Sequence, residues 1–140
     1  MGASPETVTR VRVRYAETDR MGVVYYANYL VWFEVGRTEL LRTLGWSYRE
    51  MEEAGFTLPV ITASCTYHRP ARYDDDLEIR TQGTLLSPIR LVFEYEILRD
   101  ASGEIQRVVT GRTEHASLSP QGKPTRLPTR VRELFACTRS

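Results

Sequence analysis

The stretch Tyr26-Ala-Asn-Tyr-Leu-Val-Trp-Phe-Glu-Val-Gly-Arg-Thr-Glu-Leu-Leu-Arg-Thr-Leu44 decides how the chain folds. Tyr29, Trp32, Phe33, Gly36, Leu40 and Leu44 recur at three- and four-residue steps, which puts them near one face of a helix. Leu30, Val31 and Val35 make the first half apolar on nearly every side. A helix apolar all round has to be enclosed, so something must wrap it. Gly45 supplies a stop. Ser47 reads as the N-cap of a short second helix, Glu50 completes a capping box three residues on, and Gly55 ends it.

Upstream of the helix, residues 1–6 read as a loose tail. From Thr7 the pattern alternates strictly. Thr9, Val11, Val13 and Tyr15 point one way and Arg10, Arg12 and Arg14 the other, as in a half-buried strand. Downstream lie four strand-like stretches, residues 56–69, 77–86, 90–99 and 104–118. Pro59 marks the first as an edge or bulge, and Gly111 is a bulge candidate in the last. Residues 119–128 are turn-rich, and residues 129–137 suit a short terminal helix. The expected order is strand, long helix, short helix, then four strands in meander order. That is an α+β domain, a curved antiparallel sheet wrapped around one long central helix, spanning residues 1–140. A long edge strand is often covered by dimerisation.

The chain has 140 residues, 41% of them apolar and 26% charged, with a net charge of +1. That length suits one domain. The near-neutral charge argues against a general attraction to nucleic acid or anionic membrane. There is no membrane-length apolar run and no signal-peptide pattern, so a cytoplasmic location is expected. Cys65 and Cys137 read as reduced thiols without metal-ligand spacing, and with only His68 and His115 beside them no metal site is expected. Lys123 is the single lysine among 19 basic residues.

The chemistry concentrates in Tyr15-Ala-Glu-Thr-Asp-Arg-Met-Gly-Val-Val-Tyr-Tyr-Ala-Asn-Tyr29, which links the first strand to the helix. Asp19 is a loop carboxylate beside an apolar run. It suits a general base or a nucleophile, and equally a local turn cap or a partner of Arg14 or Arg20. Gly22 permits a positive φ or a close backbone approach. No Ser, Thr, Asp or Asn stands at residues 24–26, so the first N–H groups of the helix lack a side-chain cap there. Such a helix end suits developing negative charge on a carbonyl oxygen. A carboxylate, a glycine and an open helix start are a minimal kit for attacking a carbonyl, without saying which carbonyl.

The pattern Tyr15-x-Glu-Thr-Asp19-x-x-Gly22-Val-Val-Tyr25-Tyr26-Ala-Asn-Tyr29, then Trp32-Phe33-Glu34 and Arg37-Thr38-Glu39, resembles the hotdog-fold acyl-CoA thioesterases. The resemblance is to the 4-hydroxybenzoyl-CoA thioesterase family, including its Tol-Pal-associated acyl-CoA thioesterases. Arg69-Pro70-Ala71-Arg72-Tyr73-Asp74-Asp75 supports it, and the likeness covers residues 8–118. The resemblance implies a hotdog fold and hydrolysis of an acyl-CoA substrate without a cofactor. It also implies a homodimer with active sites between subunits, often paired into a homotetramer. Asp19 falls on the family's catalytic aspartate, and the Tyr26 backbone N–H falls near the group that polarises the thioester carbonyl. Tyr25 and Asn28 match positions that shape the site. Glu34 falls where one aromatic-acyl member binds a phenolic hydroxyl, although a salt bridge to Arg37 explains it equally. Many Tol-Pal-type members have His where this chain has Tyr26, which leaves the N–H role intact. Arg69 and Arg72 are candidates for the phosphates of coenzyme A, against a bland pairing with Asp74, Asp75 and Asp76. Two rival readings are a dehydratase acting on a 3-hydroxyacyl thioester and a non-catalytic acyl-CoA-binding or Tol-Pal partner protein. The absence of a histidine from the helix-start motif disfavours the dehydratase.

Overall fold

In the computed structural model, which describes residues 4–136, strand β1 (Glu6–Arg12) leads through a 3-10 turn at Tyr15–Glu17 into α1 (Asn28–Thr43). Then come α2 (Tyr48–Glu53), β2 (Val60–Tyr67), β3 (Asp76–Ser87), β4 (Arg90–Ala101), β5 (Glu104–Ala116) and α3 (Thr129–Phe135). The five strands form one antiparallel sheet in the order β1-β3-β4-β5-β2. Helix α1 lies across β1, β3 and β4, which is the hotdog arrangement expected from the sequence.

Tyr29, Trp32, Phe33, Gly36, Leu40 and Leu41 form the buried face of α1, close to the set expected from spacing. Two glycines let the helix lie this near the sheet. A Cβ on Gly36 would run into Thr81 Oγ1, and one on Gly111 would run into the ring of Phe33. Gly111 is therefore a seat for the helix and not the expected bulge. The register shift on β4–β5 falls between Ile97 and Leu98. Phe33 stacks on Tyr95 at 4.2 Å, and Phe93, His115 and Phe135 continue the core beneath α3. No helix among the described residues is long and apolar enough to cross a membrane.

Several expectations need correction. The strands after α2 are not a simple meander, because β2 pairs with β5 and not with β3. The connection after Tyr67 crosses the sheet end, where His68 and Arg69 N–H both donate to Val108 O at 2.8 and 3.2 Å. Helix α1 is also not enclosed on every side within one chain. Leu30 and Val31 are 42% and 52% exposed, because the sheet covers only one flank of the helix. Finally, the tail is shorter than expected. β3 is long enough to pair back to Glu6, Gly83 N–H donates to Pro5 O at 2.9 Å, and Ser4 is buried. Tyr15 leaves the inward face of β1 for the 3-10 turn and is 78% exposed. Residues 1–3 of the expected tail and the end of the expected terminal helix at Cys137 lie outside the described residues.

Candidate active site

The loop between β1 and α1 is built around Asp19. Its Oδ1 accepts from Met21 N–H at 2.8 Å and from Val23 N–H at 3.4 Å. Its backbone closes the same turn, with Asp19 N–H donating to Val23 O and Gly22 N–H to Asp19 O. Gly22 has φ +81°, the left-handed conformation that glycine adopts most readily. The local turn reading of Asp19 is thus realised, and the second carboxylate oxygen has no hydrogen-bond partner among the described residues. One oxygen fixes the group while the other is available. The expected pairing with Arg14 does not form, because Arg14 holds Glu17.

The start of α1 lacks a side-chain cap, as expected, but its first three N–H groups are engaged by backbone carbonyls. Its N-cap is Ala27, which offers no side-chain acceptor. The N–H groups of Asn28, Tyr29 and Leu30 turn back to the carbonyls of Tyr25, Tyr26 and Ala27 at 2.9, 3.3 and 3.2 Å. Just before them, the N–H groups of Tyr26 and Ala27 meet no acceptor among the described residues. Asn28 Nδ2 donates to Glu17 O at 2.8 Å, and Tyr25 N–H donates to the same carbonyl at 2.9 Å, tying the helix start to the 3-10 turn.

Asp19 and Tyr26 line one cavity of about 340 Å³ with Val23, Val24, Tyr29, Tyr67, His68, Arg69 and Pro70. The Tyr67 hydroxyl, from the edge strand β2, donates to Tyr26 O at 3.4 Å. On its other side Asp19 borders a second hollow of about 620 Å³ with Tyr15, Arg20, Tyr25 and Asn28. Asp19 and Tyr26, whose N–H is unengaged among the described residues, therefore border one space walled by aromatic rings and an arginine.

Residues 13–135 match the family described as the thioesterase-like superfamily. The chain belongs to that superfamily. A putative acyl-CoA thioesterase of Bacillus subtilis, YneP, is 43% identical over 95 residues, 68% of each chain. A putative esterase of Aquifex aeolicus is 32% identical over 128 residues, covering 91% of this chain and 96% of its own length. A crystal structure of a 1,4-dihydroxy-2-naphthoyl-CoA thioesterase from Synechocystis matches with a TM-score of 0.85 at 26% identity, over 93% of this chain and 95% of that one. The expectation of a thioesterase with a hotdog fold is borne out.

In this thioesterase-superfamily chain two candidate site residues stand apart from the Asp19 cavity. Glu34 lies six residues past Asn28, the first residue of α1, about 9 Å along the helix axis. It borders a separate hollow of about 520 Å³ with Arg37, Tyr48, Met51, Phe56 and Leu58. Its expected bond to Arg37 is absent, because Arg37 donates to the hydroxyls of Tyr48 and Tyr95 at 3.1 and 3.4 Å. Arg72 uses its backbone N–H to cap Asp75, and its side chain has no polar partner among the described residues. The aspartates expected to hold Arg69 and Arg72 are taken by others: Asp74 by Arg12, Asp75 by Arg99 and Asp76 by Arg10.

The two histidines differ in placement: His68 lines the Asp19 cavity, and His115 lies in the core. His68 Nε2 lies 2.9 Å from Thr110 Oγ1. His115 is wholly buried between Leu58 O at 3.0 Å and Thr113 Oγ1 at 2.9 Å. Burial pushes its pKa down to about 4. The Thr113 hydroxyl lies 2.6 Å from that of Tyr95, which receives Arg37, so a polar thread runs through the core. Burial also pushes the Tyr48 phenol up to about 12. Sequence reading missed Tyr67 and Tyr29 as walls of the cavity. Their strand and helix meet only through the crossover, and no local pattern announces it.

Proposed function

We propose that this chain hydrolyses an acyl-CoA thioester to a free carboxylic acid and coenzyme A, with Asp19 as its essential carboxylate. The observation that carries the reading is the cavity lined by both Asp19 and Tyr26, whose N–H is unengaged among the described residues. The thioester carbonyl oxygen sits against that N–H and gains charge as its carbon is attacked. A donor fixed beforehand stabilises the transition state more than the ground state. Asp19 either attacks the carbon, giving an anhydride that water cleaves, or takes a proton from a water that attacks. In both routes the C–S bond breaks, coenzyme A leaves as thiolate and is then protonated, and water supplies the acid's second oxygen. Tyr25, Gly22 and Asn28 hold the turn and helix start. Arg69 reaches the cavity rim, where a guanidinium suits the phosphates of coenzyme A. Arg72, on the same connection, has a guanidinium without a polar partner among the described residues and suits the same role.

The working unit is a homodimer, which can pair again into a tetramer, in the cytoplasm. The support is an unpaired edge. β2 is a border strand with Val60, Ile61 and Tyr67 exposed, and the open flank of α1 carries Leu30 and Val31. A partner strand on β2 would satisfy its unpaired backbone groups and bring a second subunit beside the cavity wall at Tyr67.

Purified chain assayed with a panel of acyl-CoAs and a thiol reagent tests the activity. Release of coenzyme A by the wild type and its loss in Asp19→Ala are expected. Equal release by both overturns the Asp19 assignment. An enoyl product without thiol release would favour the dehydratase, and tight binding without turnover a non-catalytic role.

A further inference from the structure

We infer that Arg99, which touches neither cavity beside Asp19, is a positioning residue for this site, a step that rests on the function just proposed. Arg99 lies on β4 with its side chain only 20% exposed. Its Nη1 donates to Pro70 O at 3.0 Å and to Asp75 Oδ2 at 2.9 Å, and its Nη2 donates to Gln106 Oε1 at 2.8 Å. Gln106, on β5, anchors the guanidinium to the sheet, and the other two acceptors bracket the connection between β2 and β3. Asp75 Oδ2 also receives Arg72 N–H at 2.8 Å, which closes that connection into a turn.

This turn is what the catalytic loop rests on. Val24 N–H donates to Ala71 O at 2.8 Å, and Val23 forms a bridge with Arg72. Val23 in turn holds Asp19 from both sides, through its carbonyl and its N–H. Two residues beyond Val24 comes the Tyr26 N–H. The path from Arg99 therefore runs through Pro70 and Asp75 to Ala71 and Arg72, then to Val23 and Val24, and ends on the carboxylate and the N–H that face one carbonyl. A planar guanidinium supplies three directed donors here at once, which an ammonium group does not reproduce. Arg69, by contrast, precedes Pro70 and is fixed by its own N–H to Val108 O. Of the two proposed phosphate contacts, Arg69 therefore keeps its place when Arg99 is loosened, and only Arg72, inside the turn, shifts along with the reacting groups.

The test compares Arg99→Gln and Arg99→Lys with Arg107→Gln, which breaks an exposed ion pair to Glu96 on the same sheet. All are assayed where each is folded by its own melting curve. The expected result is a kcat at least about tenfold lower in Arg99→Gln with KM within about threefold, a smaller loss in Arg99→Lys, and no change in Arg107→Gln. Should Arg99→Gln not fold, Arg99→Lys alone carries the kcat-against-KM comparison. A second readout is independent of turnover. The amide resonances of Val24 and Tyr26 should move in the Arg99 variants and stay in Arg107→Gln. Wild-type kcat in the Arg99 variants, a loss that only follows the unfolded fraction, or unmoved amides would overturn the inference. Failure of the proposed activity is seen separately, as absent or Asp19-independent release by the wild type.

Discussion

Among the described residues, Asp19 is held by two backbone donors on one oxygen and by none on the other. No cation pairs with it among the described residues, so its placement comes from the turn and not from charge. Asp19→Ala should cut kcat by about a hundredfold or more, the usual scale for a positioned acid–base group. It should cost only about 1 kcal/mol of stability, because the Met21 N–H it frees is exposed and the bond from the part-buried Val23 N–H is long, at 3.4 Å. A steady-state assay paired with a urea melt reads both. His115 allows a pH forecast. Its pKa falls from 6.5 to about 4 on burial, so as pH drops the unfolded chain takes up this proton first. The stability contributed by the neutral ring is whole above about pH 6.5, fades between about 6.5 and 4, and is gone below that range. The loss is about 3 kcal/mol. Urea midpoints across that range should fall more steeply for the wild type than for His115→Gln, and parallel slopes would contradict this. Gly111→Ala presses a methyl group into the Phe33 ring and should cost about 1–3 kcal/mol, read from the same melts.

The elements most legible in the sequence are those governed by near neighbours. Ser47 caps α2 as expected, with Ser47 Oγ accepting from Glu50 N–H and Glu50 Oε1 accepting from Ser47 N–H, both at 3.2 Å. Ser47→Ala should lower stability by about 1 kcal/mol in a chemical melt. The buried stripe of α1 and the inward Thr9, Val11 and Val13 at β1 were readable for the same reason, a period set by local geometry. The missing side-chain cap of α1 was readable too, since capping depends on the residue types at the end of one helix, whereas the backbone carbonyls that take up its first N–H groups were not. The place of β2 was not. Its partner β5 begins some forty residues later, and alternation tells which face a residue takes but not which strand lies beside it. Pro59 marked an edge correctly without saying which edge. The separation of Glu34 from the Asp19 cavity was hidden likewise, because both sit in one motif while the helix carries them apart.

At the scale of the molecule the apolar surface is unevenly finished. One flank of α1 is sealed by the sheet and the other shows Leu30 and Val31, while β2 is paired on one side only among the described residues. The sequence displayed this surplus as a helix apolar all round. A single chain encloses only part of it, because five strands cover one side. Leu30→Asp places a charge in that seam and should shift sedimentation velocity profiles from dimer towards monomer, with a parallel fall in kcat. A monomeric wild type with full activity would contradict the proposed assembly. The crossover that puts β2 on the far edge also brings Tyr67, His68 and Arg69 to the loop that carries Asp19, so the site exists only once the sheet is complete.

The alignment of Asp19 with the Tyr26 N–H is tested most directly by a crystal structure of Asp19→Asn holding an uncleaved acyl-CoA. The thioester oxygen is expected about 3 Å from the Tyr26 nitrogen, with its carbon turned to the substituted carboxamide. A thioester bound elsewhere, or one whose oxygen takes its hydrogen bond from another group while the Tyr26 N–H faces water, would contradict the account.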